Sequence, residues 1–206
     1  TKAWVMQKVV HYAFRGFMGY LRGFDLVLGK AEGLEKLPRS GPYILVANHP
    51  SLLDVVLILA SIPRACCIVK PEILDSIYMR GVSRLAGYIP NTEGEPLIAA
   101  CVEKLNQGIP LVIFPEGTRS RTNELLPFKK GGFVLALEAQ APVVPVAILG
   151  GRAAMKRGSA LVRPETVNVR FAPPIETVKR DYSHRDELIA EVRTEIERLL
   201  ALGPVG

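Results

Sequence analysis

A histidine and an aspartate five residues apart are the first residues in this sequence whose types and spacing could do chemistry. Residues 48–54 read Asn-His-Pro-Ser-Leu-Leu-Asp, which places His49 ahead of Asp54. A carboxylate that accepts a hydrogen bond from Nδ1 of an imidazole fixes the tautomer and leaves Nε2 as a general base. The alternative is a capping aspartate beside a loop histidine. The spacing alone leaves both interpretations open.

A second polar segment, residues 114–121, reads Phe-Pro-Glu-Gly-Thr-Arg-Ser-Arg. Gly117 allows the backbone to turn tightly, and the residues after it offer hydroxyl and guanidinium donors. An arginine side chain presents a planar fork that matches the oxygens of a phosphate or a carboxylate. The alternative is a solvated basic loop in which Glu116 only pairs with an arginine.

The elements that must position these segments alternate between strand and helix from residue 43 onward. Apolar runs predict strands over 43–47, 66–69, 111–114, 143–149 and 167–171, with an extended segment over 88–90. Capping and helical periodicity predict helices over 52–60, 75–85, 96–106, 132–139 and 185–200. The order predicts a single α/β domain with a mixed, largely parallel sheet flanked by helices. Both polar segments follow predicted strands directly, where open α/β sheets place their sites.

The N-terminal segment, residues 1–30, has a different character. Residues 2–24 contain no acid and predict an amphipathic helix, although three glycines are expected to weaken it or divide it in two: Gly16, Gly19 and Gly23. The basic and histidine side chains share one helical stripe among apolar and aromatic residues: Lys8, His11, Arg15 and Arg22. Such a helix either lies in a membrane surface or covers the core with one solvated face.

Composition narrows the class of partner without choosing it. The 206 residues carry 26 Lys and Arg against 20 Asp and Glu, a net charge of +6 that favours nucleic acid, a membrane surface or a phosphorylated substrate. No nucleic-acid motif supports the first of these. The three cysteines form neither a disulfide framework nor a metal pattern, so we predict no metal and a reducing compartment. No apolar run reaches the length of a spanning helix. The chain begins at Thr1, which leaves an upstream segment open.

The motifs taken together resemble the lysophospholipid acyltransferase family, in which 1-acylglycerol-3-phosphate acyltransferases are the best-known members. Its first block, Asn-His-x4-Asp, is matched by Asn48, His49 and Asp54, and its third, Phe-Pro-Glu-Gly-Thr-Arg-Ser, is matched without change by residues 114–120. The Val-Pro-Val at 144–146 matches its fourth block, residues 70–74 match a stretch between its first and second blocks, and residues 128–129 match a pair downstream of the third. The resemblance runs from about residue 30 to residue 175.

The resemblance implies a glycerolphosphate acyltransferase-like fold and acyl transfer from a thioester to the hydroxyl of a lipid. The donor would be acyl-CoA or acyl-carrier protein, and the acceptor a lysophospholipid, with 1-acylglycerol-3-phosphate giving phosphatidate as the leading expectation. His49 would take the hydroxyl proton during direct attack, and Asp54 would stabilise the imidazolium. No cofactor and no metal are expected.

The resemblance also implies which residues bind the acceptor. These are Glu116, Thr118, Arg119 and Ser120. Gly117 is a candidate for stabilising the oxyanion as well as for binding the acceptor, and Lys70 is expected to face the same cleft. Arg121 is added to the binding residues on its charge alone. The second block departs from the family, because Asn91 stands where the family commonly has an arginine that helps hold the acceptor phosphate. The same chemistry on a lipid without a glycerol phosphate is therefore an alternative.

The amphipathic pattern of residues 1–30 and the resemblance that begins near residue 30 together predict two parts: a membrane-associating helical segment, residues 1–30, and an acyltransferase domain, residues 31–206. Together with the basic charge, the resemblance predicts a peripheral or monotopic protein at the cytoplasmic face of an anionic membrane, and no nucleic acid as partner. A third hypothesis is a family member that binds membranes without catalysis, which the presence of His49 and Asp54 disfavours.

Overall fold

The computed structural model describes residues 2–75, 80–92, 94–120, 122, 124–156, 159 and 161–204. The strands are β1 (Val27–Leu28), β2 (Ala31–Glu32), β3 (Ile44–Ala47), β4 (Cys66–Val69), β5 (Ile89–Pro90), β6 (Leu111–Ile113), β7 (Val143–Leu149), β8 (Glu165–Thr166) and β9 (Asn168–Phe171). The helices are α1 (Lys2–Gly23), α2 (Leu53–Ser61), α3 (Pro71–Asp75), α4 (Arg80–Leu85), α5 (Glu95–Asn106), α6 (Gly131–Glu138), α7 (Gly151–Ala154) and α8 (Arg185–Ala201).

Seven strands form a mixed sheet in the order β2-β9-β7-β3-β6-β4-β5. The five strands from β7 to β5 are parallel, whereas β9 is antiparallel to β7 and carries β2 parallel to itself. The predicted mixed, largely parallel α/β fold is therefore confirmed. Because β7, β3 and β6 are parallel neighbours, their carboxyl ends meet at one edge of the sheet, where the site lies.

The two faces of the sheet bury separate apolar layers. Side chains alternate along β3, so Leu45 packs on the side of α1 and α2, and Ile44 packs on the side of α5, α6 and α8. The helix α8 contributes one stripe at helical spacing: Leu188, Val192, Ile196 and Leu199. All three cysteines are buried and form no disulfide, so they pack as small apolar residues.

The helix α1 departs from the prediction in two respects. It is one continuous helix over Lys2–Gly23, because packing of its buried face on α2 and α4 outweighs the low helix propensity of its three glycines. The predicted basic stripe is wrong at His11, which is buried and whose Nδ1 lies 2.8 Å from the carbonyl oxygen of Leu59 in α2. Within the ranges that the structure describes, no helix combines the length and the hydropathy needed to cross a bilayer.

The predicted helix over 75–85 is confirmed only in part. Two short helices, α3 and α4, occupy 71–75 and 80–85, and residues 76–79 lie outside the described residues. The other predicted helices and strands are found within two residues of their expected bounds.

Candidate active site

His49 lies two residues beyond the end of β3, at the carboxyl edge of the sheet. Its ring stacks on Phe114, the first residue after β6, with 4.2 Å between ring centroids and 26° between planes. The stacking fixes one face of the imidazole, and the side chain keeps 19% of its surface exposed. The ring is therefore held in place and still reachable by a substrate.

Asp54 lies in the first turn of α2 and holds the other side of the imidazole. Its Oδ2 lies 2.8 Å from Nδ1 of His49 and also accepts the backbone N–H of Ser51 at 2.8 Å. Its Oδ1 accepts the hydroxyl of Ser51 at 2.6 Å. A carboxylate against Nδ1 keeps the proton on that nitrogen and leaves Nε2 as the basic atom of the partly exposed ring. The structure thus brings together the predicted pair.

The electrostatics of the pair suit a general base. The Asp54 side chain is completely buried, and burial raises the pKa of its carboxyl, while the hydrogen bonds from His49 and Ser51 oppose that rise. Three donors around one buried carboxylate orient it and favour its charged form. When His49 accepts a proton, the resulting imidazolium meets an anion in a low-dielectric environment, where the attraction is strong.

The sequence interpretation missed Gly151, and it named Asn48 only as part of the first motif without its structural role. Gly151, at the start of α7, permits close packing, because a Cβ placed there would lie 3.1 Å from Oδ1 of Asp54 and 3.0 Å from Oγ of Ser51. Asn48 ties β3 to β7 through its amide, which donates to the carbonyl of Ile148 at 3.0 Å and accepts the N–H of Ile148 at 2.7 Å. Both contacts join residues about 100 positions apart, which no local pattern reveals.

Glu116 anchors the backbone of His49. Its Oε1 accepts the N–H of His49 at 2.9 Å, and its Oε2 accepts the N–H of Leu126 at 3.1 Å. The residue is buried, with 5% of its surface exposed, so both carboxylate oxygens are engaged inside the protein. This positioning role was not predicted, and contact of Glu116 with the acceptor stays a prediction.

Ser120 completes the anchoring from the other end of the same loop. Its N–H donates to the carbonyl of His49 at 3.0 Å, and its hydroxyl donates to the carbonyl of Thr122 at 2.8 Å. Because the 114–120 loop bonds both the N–H and the C=O of His49 and stacks on its ring, the two sequence motifs form one structural unit. The strand-end argument predicts their proximity but not these bonds.

The remaining predicted site residues lie along the same edge. Gly117 adopts φ +68° and Thr118 is exposed beside it, while Arg119 is half-buried. Lys70 is exposed directly after β4, and Asn91 follows β5, where its N–H donates to the carbonyl of Val69 at 2.7 Å. Arg121 lies outside the described residues. Acceptor binding by these residues remains a prediction.

No cluster of three or more His, Cys, Asp or Glu side chains suited to hold a metal ion occurs in the part of the chain that the structure describes. The site is built instead from an imidazole, a buried carboxylate and a loop rich in backbone donors. Together these define an α/β protein with a hydrogen-bonded histidine and buried aspartate at the carboxyl edge of its sheet.

Comparison with known proteins agrees with this class. A family model described as Acyltransferase matches residues 30–149, more than half of the chain and including both motifs. The chain belongs to this acyltransferase family, as the motifs predict.

Two relatives within this similarity are named for the same reaction. The chain is 36% identical over 141 residues to a 1-acyl-sn-glycerol-3-phosphate acyltransferase of Cocos nucifera. This match covers 65% of this chain and 46% of that protein. It is 34% identical over 179 residues to a chloroplastic 1-acyl-sn-glycerol-3-phosphate acyltransferase of Arabidopsis thaliana, covering 83% of this chain and 49% of that one. The chain therefore spans about half the length of these relatives.

A solved structure extends the likeness to the whole fold. The crystal structure of the 1-acyl-sn-glycerophosphate (LPA) acyltransferase from Thermotoga maritima is similar with a TM-score of 0.80 and 27% sequence identity. The match covers 95% of this chain and 81% of that one. The α/β architecture with its N-terminal helix is thus a shared arrangement.

Proposed function

We propose that this protein transfers a fatty acyl group from a thioester donor, acyl-CoA or acyl-carrier protein, to the hydroxyl of 1-acylglycerol-3-phosphate, giving phosphatidate. The observation that carries the proposal is the 2.8 Å contact between Nδ1 of His49 and buried Asp54. Nε2 of His49 takes the proton of the acceptor hydroxyl as its oxygen attacks the thioester carbonyl. The C–S bond then breaks, and the departing thiolate takes that proton, which restores neutral His49.

The choice of acceptor rests on the loop and on the relatives. The loop that anchors His49 continues into Thr118 and Arg119, whose hydroxyl and guanidinium suit phosphate and glycerol oxygens. The relatives described above are named for 1-acyl-sn-glycerol-3-phosphate. Both observations support a phosphorylated acceptor for this chain.

A panel of acceptors tests the proposal. With an acyl-CoA donor, we expect the purified protein to acylate lysophosphatidate with a kcat/KM at least about tenfold above that for monoacylglycerol, which lacks the phosphate. Mass spectrometry of the lipid products measures both reactions. Acylation of monoacylglycerol or another phosphate-free lipid alone would contradict the choice of acceptor while leaving the acyl transfer intact.

A second candidate keeps the chemistry and changes the acceptor. Asn91 follows β5 at the same sheet edge as Lys70, and its neutral amide cannot supply the charge of the arginine common in the family. That observation favours a lipid without a glycerol phosphate, such as an amino-acid lipid. The same acceptor panel separates the two candidates.

The helix α1 suggests where the reaction occurs. Its outward face exposes large apolar side chains that point away from the core: Trp4, Val5, Val9, Tyr12, Phe17 and Tyr20. Lys8, Arg15 and Arg22 flank this face on one side. An exposed apolar stripe bordered by cations fits the interface of an anionic bilayer. The proposed location is the cytoplasmic face of a membrane, with the protein bound peripherally or monotopically.

Vesicle binding tests this location. We expect the protein to co-sediment with vesicles that contain anionic lipid, and the double variant Val9→Asp and Phe17→Asp to lower the bound fraction about tenfold or more, because two charges would enter the apolar interface. Val178→Asp is the matched control, since Val178 is equally exposed but lies outside α1. Equal vesicle binding by the double variant and the control would contradict a lipid-facing α1.

A further inference from the structure

Lys129 lies against the loop that anchors the catalytic histidine, although it follows that loop by nine residues. A Cβ placed on Gly117 would lie 2.7 Å from Cε of Lys129 and 2.8 Å from its Nζ. The backbone N–H of Lys129 donates to the carbonyl of Pro115 at 2.8 Å. The ammonium is thus held beside Gly117, next to the residue whose carboxylate binds the backbone of His49.

The segment that carries Lys129 is fixed at several points. Glu116 accepts the N–H of Leu126, and the guanidinium of Arg193 in α8 donates to the carbonyl of Leu126 at 3.0 Å. The same guanidinium lies 5.4 Å from the ring of Phe128, the residue before Lys129. Because the backbone at its root is fixed, less conformational freedom is lost when the ammonium binds a ligand.

The charge around Lys129 is unbalanced. In the described ranges no carboxylate forms an ion pair with Lys129 or with Arg119, which lies two residues beyond Gly117. Both oxygens of the nearby Glu116 are occupied by backbone N–H groups. Among the described residues, these two cations lie at the 114–120 loop without an ion-pair partner, and such a pair favours an anionic ligand there.

Lys130, the residue after Lys129, has an ion-pair partner. Nζ of Lys130 lies 3.8 Å from Oδ1 of Asp186 at the start of α8, so its charge has a partner away from the loop. Lys129 and Lys130 are adjacent, of the same type and both exposed, but the ammonium of Lys129 lies beside Gly117, whereas that of Lys130 lies beside Asp186. The chain therefore supplies its own matched control.

We propose that Lys129 provides a phosphate-binding subsite of the active site, in which its ammonium contacts a phosphate group of a substrate. A lysine ammonium binds phosphate oxygens as a compact point charge, complementing the fork of Arg119. Two substrates of the proposed reaction carry phosphate: the acceptor as a monoester, and acyl-CoA in its nucleotide portion. This inference rests on the proposed function for the identity of the substrate, but not for the presence of an anion site.

Kinetics with paired substrates test the subsite and identify the phosphate. We expect Lys129→Met to raise KM about tenfold to a hundredfold for the substrate whose phosphate it contacts, and Lys130→Met to change KM by less than about twofold. A rise for lysophosphatidate but not monoacylglycerol assigns the acceptor. A rise for acyl-CoA but not acyl-pantetheine, which lacks phosphate, assigns the donor. Two results would overturn the proposal: an equal rise in KM for all four substrates, or a rise in the Lys129→Met protein no larger than that in the Lys130→Met protein.

A binding measurement keeps this test separate from the proposed function. Titration of the His49→Ala protein with short-chain lysophosphatidate and with coenzyme A, by calorimetry, requires no turnover. We expect Lys129→Met in that background to weaken one of the two ligands about tenfold or more, and Lys130→Met to leave both unchanged. Undiminished binding of both ligands in the Lys129→Met protein would overturn the subsite even if acyl transfer is confirmed. If Lys129→Met weakens the binding of one ligand but the unmutated protein transfers no acyl group, the subsite is supported and the proposed function is not.

Discussion

Replacing His49 with alanine is expected to lower kcat for acyl transfer by about 10³-fold or more, because the acceptor hydroxyl would lose the group that takes its proton. The substitution removes the only imidazole that Asp54 contacts in the described structure and the ring that stacks on Phe114. Since the ring is partly exposed, we expect a loss of only about 1 kcal/mol in the free energy of unfolding. Initial rates and thermal melting measure the two effects.

The other two histidines of the chain are the controls. His184 lies at an exposed turn before α8, so His184→Ala should leave kcat unchanged. His11 is buried between α1 and α2, so His11→Ala should lower stability by about 1–3 kcal/mol through its lost bond to Leu59, with little change in kcat for the folded protein. A His49→Ala variant as active as His184→Ala would exclude His49 as the base.

Changing Asp54 to asparagine is expected to lower kcat by about 10²-fold or more while preserving the geometry of the site. The amide oxygen can replace Oδ2 and accept from Nδ1 of His49 and the N–H of Ser51, and the amide NH₂ can donate to Oγ of Ser51. The exchange therefore removes the negative charge and the acceptor of the Ser51 hydroxyl proton, while the contact with His49 stays. The loss of rate measures what that charge contributes to the developing imidazolium.

The melting temperature of Asp54→Asn shows whether its loss of kcat is due to misfolding. Because burial raises the pKa of the Asp54 carboxyl, its ionisation in the folded protein costs free energy at neutral pH, and that cost grows as the pH rises through the folded-state pKa. The neutral amide carries no such cost, so we expect the melting temperature of Asp54→Asn at pH 7 to be equal or higher. Asp186→Asn, at an exposed aspartate of α8, is the control. A kcat within about threefold of the unmutated protein would contradict the role of the charge.

The general layout of the site follows from sequence because strands and their ends are locally encoded. The runs 43–47 and 111–114 are apolar enough to be interior strands, and parallel strands bring their carboxyl ends together. That rule alone places His49 near the 114–120 loop, and five-residue spacing allows Asp54 to turn back onto the imidazole. The predicted pair depends on contacts within one short segment, which is why the prediction succeeds.

The contacts that hold His49 and Asp54 in place join residues far apart in the sequence. Glu116 reaches the N–H of His49 from 67 positions away, and Asn48 bonds Ile148 across 100 positions. Such pairings depend on strand order, which periodicity does not encode. A glutamate in a polar loop is typical of a surface residue, and only its burial against two backbone N–H groups shows that it positions the histidine.

The helix α1 illustrates a second limit of sequence patterns. A stripe of Lys8, His11, Arg15 and Arg22 follows from helical spacing, but spacing does not tell which polar side chain has a partner in the core. His11 is buried because a carbonyl of α2 accepts its hydrogen bond, while the apolar residues on the opposite face stay exposed. The burial of a polar group is decided by the neighbouring element rather than by the helix itself.

The most direct test of the account is the lipid formed by the unmutated and His49→Ala proteins, assayed side by side with lysophosphatidate and acyl-CoA. From the unmutated protein we expect phosphatidate, identified by mass spectrometry, together with an equal amount of free coenzyme A. From His49→Ala we expect both products to form at least about 10³-fold more slowly. Phosphatidate formation at equal rates by the two proteins, or no acylated product from the unmutated protein with any lysolipid tested, would contradict this account.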